Sequence, residues 1–173
     1  PRQRPRHRGA RKGMLPTVPR GPALWPARRS QRRVHSANGS RASHQEVAAL
    51  AERLGTAGIP VFVIPGNHDV NNPWAVRFRE TAFEELDPVT PAAFAEIYRD
   101  AGYGDATDRA PDDLSYRVDL PSGLSLLMLD SAVWSRNATL GYPYTPGAIG
   151  TRQREWIQAQ LADLRATGRE QPA

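Results

Sequence analysis

Asn67, His68 and Asp69 stand side by side directly after an apolar run, residues 61–64, and a Pro65-Gly66 pair. An asparagine amide oxygen is a hard, neutral ligand suited to a divalent ion. The neighbouring imidazole can donate a proton to a leaving oxygen or a hydrogen bond to a developing oxyanion. Asp69 is then placed to hold that imidazole in one tautomer and raise its basicity. Gly66 permits the sharp backbone turn such a trio requires. The same tripeptide, taken alone, is equally a polar turn that caps the next element.

Other residues could extend this chemistry. Asn71, Asn72 and Trp74 follow the trio closely enough to meet a substrate, or else form a structural turn. Asn137 lies in a later loop with the aromatics Trp134, Tyr142 and Tyr144, which either line a cleft or pack the loop down. Asp130-Ser131, at the end of an apolar segment, offers a second contribution or simply starts a turn. His44 is read as a surface residue at a helix start and His35 as part of the preceding arm, with a substitute ligand role the alternative for each.

The elements that must position these residues can be read in order. Ser43 and Glu46 form a capping box, and Val47, Leu50, Ala51 and Leu54 share one helical face, which predicts a helix buried along that stripe. Gly58 and Pro60 end it. Residues 59–64 are apolar and β-branched, which predicts a strand covered on both faces and ending at the trio, where open α/β sheets collect their ligands. Residues 77–86 suggest a short helix. Thr90-Pro91 starts a helix with Phe94, Ile97, Tyr98 and Ala101 on one face. Residues 114–120 and 124–129 suggest a hairpin turning at Pro121-Ser122-Gly123. Thr151 then caps a last helix with Trp156, Ile157, Gln160, Leu161 and Leu164 inward. A helix followed by a buried strand is half of a βαβ unit, and its other half should precede residue 42.

Composition divides the chain. Residues 1–41 hold 12 of the 23 Lys+Arg and none of the 18 Asp+Glu, so the net charge of +5 becomes −7 over residues 42–173. Apolar residues in the first segment fit neither helical nor strand spacing, which predicts a disordered basic arm. Such an arm suits RNA or another polyanion, is equally a solvated tail, or is a GC-rich reading frame out of register with the domain behind it. Residues 42–167 form the single domain and residues 168–173 a frayed end. The absence of cysteine excludes disulfides and thiolate metal sites. No apolar run approaches the ~18 residues of a membrane span.

Residues 66–69, Gly-Asn-His-Asp, at the end of a strand resemble the calcineurin-like metallophosphoesterases, in which a Gly-Asn-His-Asp/Glu motif follows a strand. The likeness extends to residues 42–46, residues 58–75, the Thr-Pro-x-x-Phe-Ala-Glu-Ile-Tyr segment at 90–98, Leu114-Ser115-Tyr116 and residues 126–131, so that about residues 38–167 look like a bacterial branch of the family. The resemblance implies an α/β fold, a sandwich of mixed sheets flanked by helices, of which this chain holds a part. It implies hydrolysis of phosphomono- or phosphodiesters at two divalent metal ions such as Mn, Fe or Zn. Asn67 would ligate metal and His68 would act as acid or transition-state stabiliser. The family's opening Asp-x-His has no counterpart in residues 1–41, and Arg33-Val34 stand where its Gly-Asp is expected before Asn38-Gly39. The later histidine motifs would fall beyond residue 173. The resemblance therefore implies a fragment with impaired or no turnover, with a non-catalytic binder carrying a basic arm as the alternative.

Overall fold

The structure is a computed structural model that describes residues 39–78 and 82–168, all within the unit His35–Ala173. The disordered arm expected over residues 1–41, the out-of-register reading and His35 fall outside the described residues, apart from Gly39, Ser40 and Arg41. The frayed end expected at 168–173 likewise lies outside them except for Gly168. The described residues form a mixed α and β fold of four α-helices and two small antiparallel sheets.

Helix α1 spans Arg41–Thr56. Its N-cap is Ser40, whose hydroxyl accepts from the Ser43 amide at 3.1 Å, while the Ser43 hydroxyl donates back to the Ser40 carbonyl at 2.8 Å. The cap therefore sits three residues before the expected one, because Ser43 serves the first turn instead of opening it. The buried stripe also differs. His44 and Ala51 face the core, whereas Val47, Leu50 and Leu54 are 51%, 57% and 45% exposed. Residues 59–64 join no ladder, and Ile59 and Ile64 are exposed. Both corrections have one physical cause: among the described residues no strand lies beside this segment to pair with it or to cover α1. Its anchors are single ones, the Val63 amide to the Ala101 carbonyl at 3.1 Å and the Tyr116 hydroxyl to the Val63 carbonyl at 2.9 Å.

The short helix expected over residues 77–86 is instead a hairpin of β1 (Val76–Phe78) and β2 (Phe83–Glu85). Val76 and Phe78 alternate with Arg77 along β1, a period of two, and the register sets Arg77 opposite Glu84 with an ion pair at 3.6 Å. Helix α2 (Pro91–Ile97) starts as expected, with Thr90 capping the Ala93 amide. A wide π-type turn follows over Arg99–Tyr103, bent at Gly102 (φ 109), where a Cβ would collide with the Tyr116 hydroxyl. Strands β3 (Asp108–Arg109), β4 (Tyr116–Asp119) and β5 (Ser125–Met128) make the second sheet, in the order β3-β4-β5. The β4–β5 pair is the expected hairpin; β3 is an added edge. Helix α3 (Asn137–Leu140) is one turn, and α4 (Thr151–Ala166) begins at an N-cap Gly150 and buries Gln153, Trp156, Gln160 and Leu164. Leu161, expected inward, is 42% exposed.

The core gathers Val70, Val89, Phe94, Tyr98, Tyr103, Tyr116 and Val118. Its aromatic rings pack in series, Phe94 on Tyr98 at 4.7 Å and Tyr103 on Tyr116 at 4.6 Å between centroids. Arg117, on β4, binds Asp163 of α4 and Asp119 at 2.8 Å each and Gln160 at 3.0 Å, which clamps α4 across the sheet. Burial draws the Arg117 pKa down, and the hydrogen bonds and charges of Asp119 and Asp163 more than restore it.

Candidate functional site

The Asn67-His68-Asp69 trio forms a tight turn after residues 59–64. Two buried asparagines hold it. Asn72 donates to the His68 carbonyl at 2.9 Å and accepts from the Trp74 amide at 2.8 Å. Asn137 donates to the carbonyls of Asn67 (2.9 Å) and Val70 (3.0 Å) and accepts from the Tyr144 amide at 2.8 Å. Both are fully buried with their amides occupied, so they position the turn and do not face a substrate. These contacts fit the structural-turn alternative of the two readings. Asn71 takes the left-handed conformation (φ 49), which asparagine tolerates, and its amide donates to the Val89 carbonyl at 2.8 Å.

Gly39 packs against the same turn. Its φ is +66, and a Cβ there would lie 2.5 Å from the His68 carbonyl oxygen and 2.7 Å from Asn72 Nδ2. A glycine is required on both counts.

The three members of the trio face different ways. The Asn67 side chain makes no hydrogen bond among the described residues and is half-buried, so its amide oxygen remains open to a ligand. The His68 ring lies 6.4 Å from Trp74, and its buried Nδ1 has no hydrogen-bond partner among the described residues. Asp69 does not orient His68. Its Oδ2 accepts from the Gly66 amide at 2.6 Å, which closes the turn on itself, and Oδ1 lies 3.7 Å from His44 Nε2.

His44 is the residue sequence reasoning missed. It is 6% exposed, not a surface residue, and it packs edge-on to Phe94 and Tyr98. Its Nδ1 pairs with the Tyr98 hydroxyl at 3.0 Å. Its buried Nε2 has no hydrogen-bond partner among the described residues, and in the Nδ1 contact either the ring or the Tyr98 hydroxyl can donate. Burial lowers the His44 pKa, against the opposing pull of Asp69. Burial, with the Asp69 charge beside it, pushes the Tyr98 hydroxyl up to about 12. The signal for this was present: His44 shares a helical face with Ala48 and Ala51, the small residues α1 turns to the core.

Asp130, 2% exposed, accepts from Trp134 Nε1 at 2.7 Å, the Ala132 amide at 2.9 Å and the Leu114 amide at 3.3 Å. Burial raises its pKa, and those three donors oppose the rise. With Gln153 bonded to its carbonyl at 2.6 Å and to the Ser115 hydroxyl at 2.8 Å, it is a structural node under the loop that carries Asn137.

Among the described residues no group of three or more His, Cys, Asp or Glu is arranged to hold a metal ion. The Asn67 amide oxygen is of the hard, neutral type that suits a divalent ion. A half-open groove of about 300 Å³ between α1 and α2, lined by residues including Arg41, Glu52 and Glu96, lies apart from the turn. No described helix is long and apolar enough to cross a membrane. Neither a protein-family model nor a curated protein matches the chain.

Proposed function

We propose that this chain carries part of a calcineurin-like metallophosphoesterase domain, whose parent activity is metal-dependent hydrolysis of phosphomono- or phosphodiesters. The observation that carries the reading is Gly39. In the resemblance it ends the family's second motif, and here it packs without room for a Cβ against the Asn67-His68-Asp69 turn, 29 residues after it in sequence. Two segments related by the resemblance alone are thus adjacent in space. The uncommitted Asn67 amide and the half-buried His68 ring agree with ligand and acid roles at that turn.

The same reading places a limit on turnover. Residues 1–41 contain no aspartate, and Val34, which cannot ligate a metal, stands where a bridging carboxylate is expected. The chain as given therefore binds divalent ions weakly and hydrolyses bis-p-nitrophenyl phosphate with manganese too slowly to detect. The test has two readouts. Millimolar Mn²⁺ should broaden the amide resonances around Asn67 selectively, and Asn67→Ala should remove the effect. Broadening spread evenly over the chain would reject the ligand role. Robust hydrolysis abolished by His68→Ala would reject the limit on turnover and retain the phosphoesterase.

A further inference from the structure

Trp74 and Tyr142 are 43% and 41% exposed, two aromatic side chains presented to solvent. They lie beside each other, 6.4 Å between centroids at an interplanar angle of 41°. Trp74 in turn lies 6.4 Å from His68, tilted 59°. The three rings thus form a continuous wall that begins at the candidate acid. It is built to hold its shape. Trp74 Nε1 donates to the Gly141 carbonyl at 3.0 Å, fixing the indole edge to the loop that bears Tyr142. Gly141 takes φ 71, the left-handed conformation that ends α3 and turns the chain into Tyr142. Asn137, four residues earlier, ties that loop to the Asn67 and Val70 carbonyls. The ring pair is therefore anchored to the same backbone as the trio.

We infer that the Trp74–Tyr142 wall is a stacking subsite for a phosphate ester whose alcohol portion carries a planar aromatic ring, such as a nucleobase or aryl group. The inference rests on the proposed phosphoesterase reading in one respect: an acid at His68 serves the leaving oxygen, so the leaving group extends from His68 onto the neighbouring ring. Aromatic faces accept any planar ring and discriminate little among bases. The subsite thus selects ring-bearing esters over aliphatic ones without selecting one base.

Calorimetry on the full chain with three probes tests this: adenosine 5′-monophosphate, ribose 5-phosphate and adenosine. The monophosphate should bind about tenfold tighter than ribose 5-phosphate, on the scale of one base stacked on an aromatic side chain. Trp74→Ala should abolish that preference and Trp74→Phe should keep most of it. Tyr142→Ala, on an exposed loop, should weaken it with unchanged circular dichroism, which separates loss of stacking from loss of fold. Equal affinity for the monophosphate and ribose 5-phosphate overturns the subsite and leaves the phosphoesterase reading standing. Adenosine binding as tightly as its monophosphate, in a Trp74-dependent way, upholds the subsite and overturns a phosphate site beside it. Adenosine and its monophosphate both failing to bind overturns the subsite.

Discussion

His44 is held neutral in a place where a charge would cost stability. Its ring is buried, Nδ1 is hydrogen-bonded to the Tyr98 hydroxyl, and the Asp69 carboxylate is too far from Nε2, at 3.7 Å, for a hydrogen bond. With its folded pKa below the unfolded value of about 6.5, the unfolded chain binds the proton more readily. The stabilising contribution is therefore complete above pH 6.5 and is lost as pH falls from there towards the folded pKa. The Tm measured between pH 7 and 5 should fall as pH falls. His44→Leu should remove that dependence in this window. An unchanged slope in the variant would assign the pH effect to another group. The Asp69 pairing also explains a misreading. An aspartate next to a histidine suggests a tautomer-fixing pair, but adjacent side chains in a tight turn diverge, so Asp69 meets a histidine 25 residues away.

Two local signals matched their sequence closely, whereas the caps expected at Ser43 and Thr151 fall at Ser40 and Gly150. Thr90-Pro91 sets the start of α2, and Pro121-Ser122-Gly123 sets the β4–β5 hairpin, because cap and turn chemistry act within four residues. The segment 59–64 did not. Its β-branched run specifies extended backbone, but a strand exists only with a neighbour, and the run cannot report whether one is present. The inward stripe expected of α1 failed for the same reason: periodicity identifies an apolar face and not its partner. The candidate site was half legible. The trio's position at the end of that segment followed from pattern, whereas the buried roles of Asn72 and Asn137 depend on backbone carbonyls that no sequence pattern marks. The loop between β5 and α4 makes the same point through Asp130. Replacing it with alanine leaves the Leu114 and Ala132 amides and the Trp134 indole without their acceptor. Asp130→Ala should lower stability by about 3 kcal/mol, read from urea denaturation. A change within about 0.5 kcal/mol would mean that water replaces the carboxylate at all three donors.

Across the described molecule, order is uneven. The sheet β3-β4-β5 with α4 is closed by polar clamps, and the α1 side presents Val47, Leu50, Leu54 and Ile59 to solvent. The clamp at Arg117 has a consequence for the rate at which this architecture forms. Its bond to Asp163 joins residues 46 apart, whereas the β4–β5 hairpin closes over a turn of a few residues. Loop-closure entropy favours the hairpin first, so α4 docks on a sheet that already exists. A contact made after the rate-limiting barrier restrains escape from the native state and does not hasten arrival. Arg117→Ala, which takes the guanidinium away from Asp119 and Asp163 while Ser125 stays bonded to Asp119, should destabilise the chain by about 3 kcal/mol. In a stopped-flow chevron nearly all of that loss should appear as faster unfolding, with the refolding limb unmoved. A slowed refolding limb would place the α4 clamp in the folding nucleus. Arg117 is, on this account, a latch on lifetime.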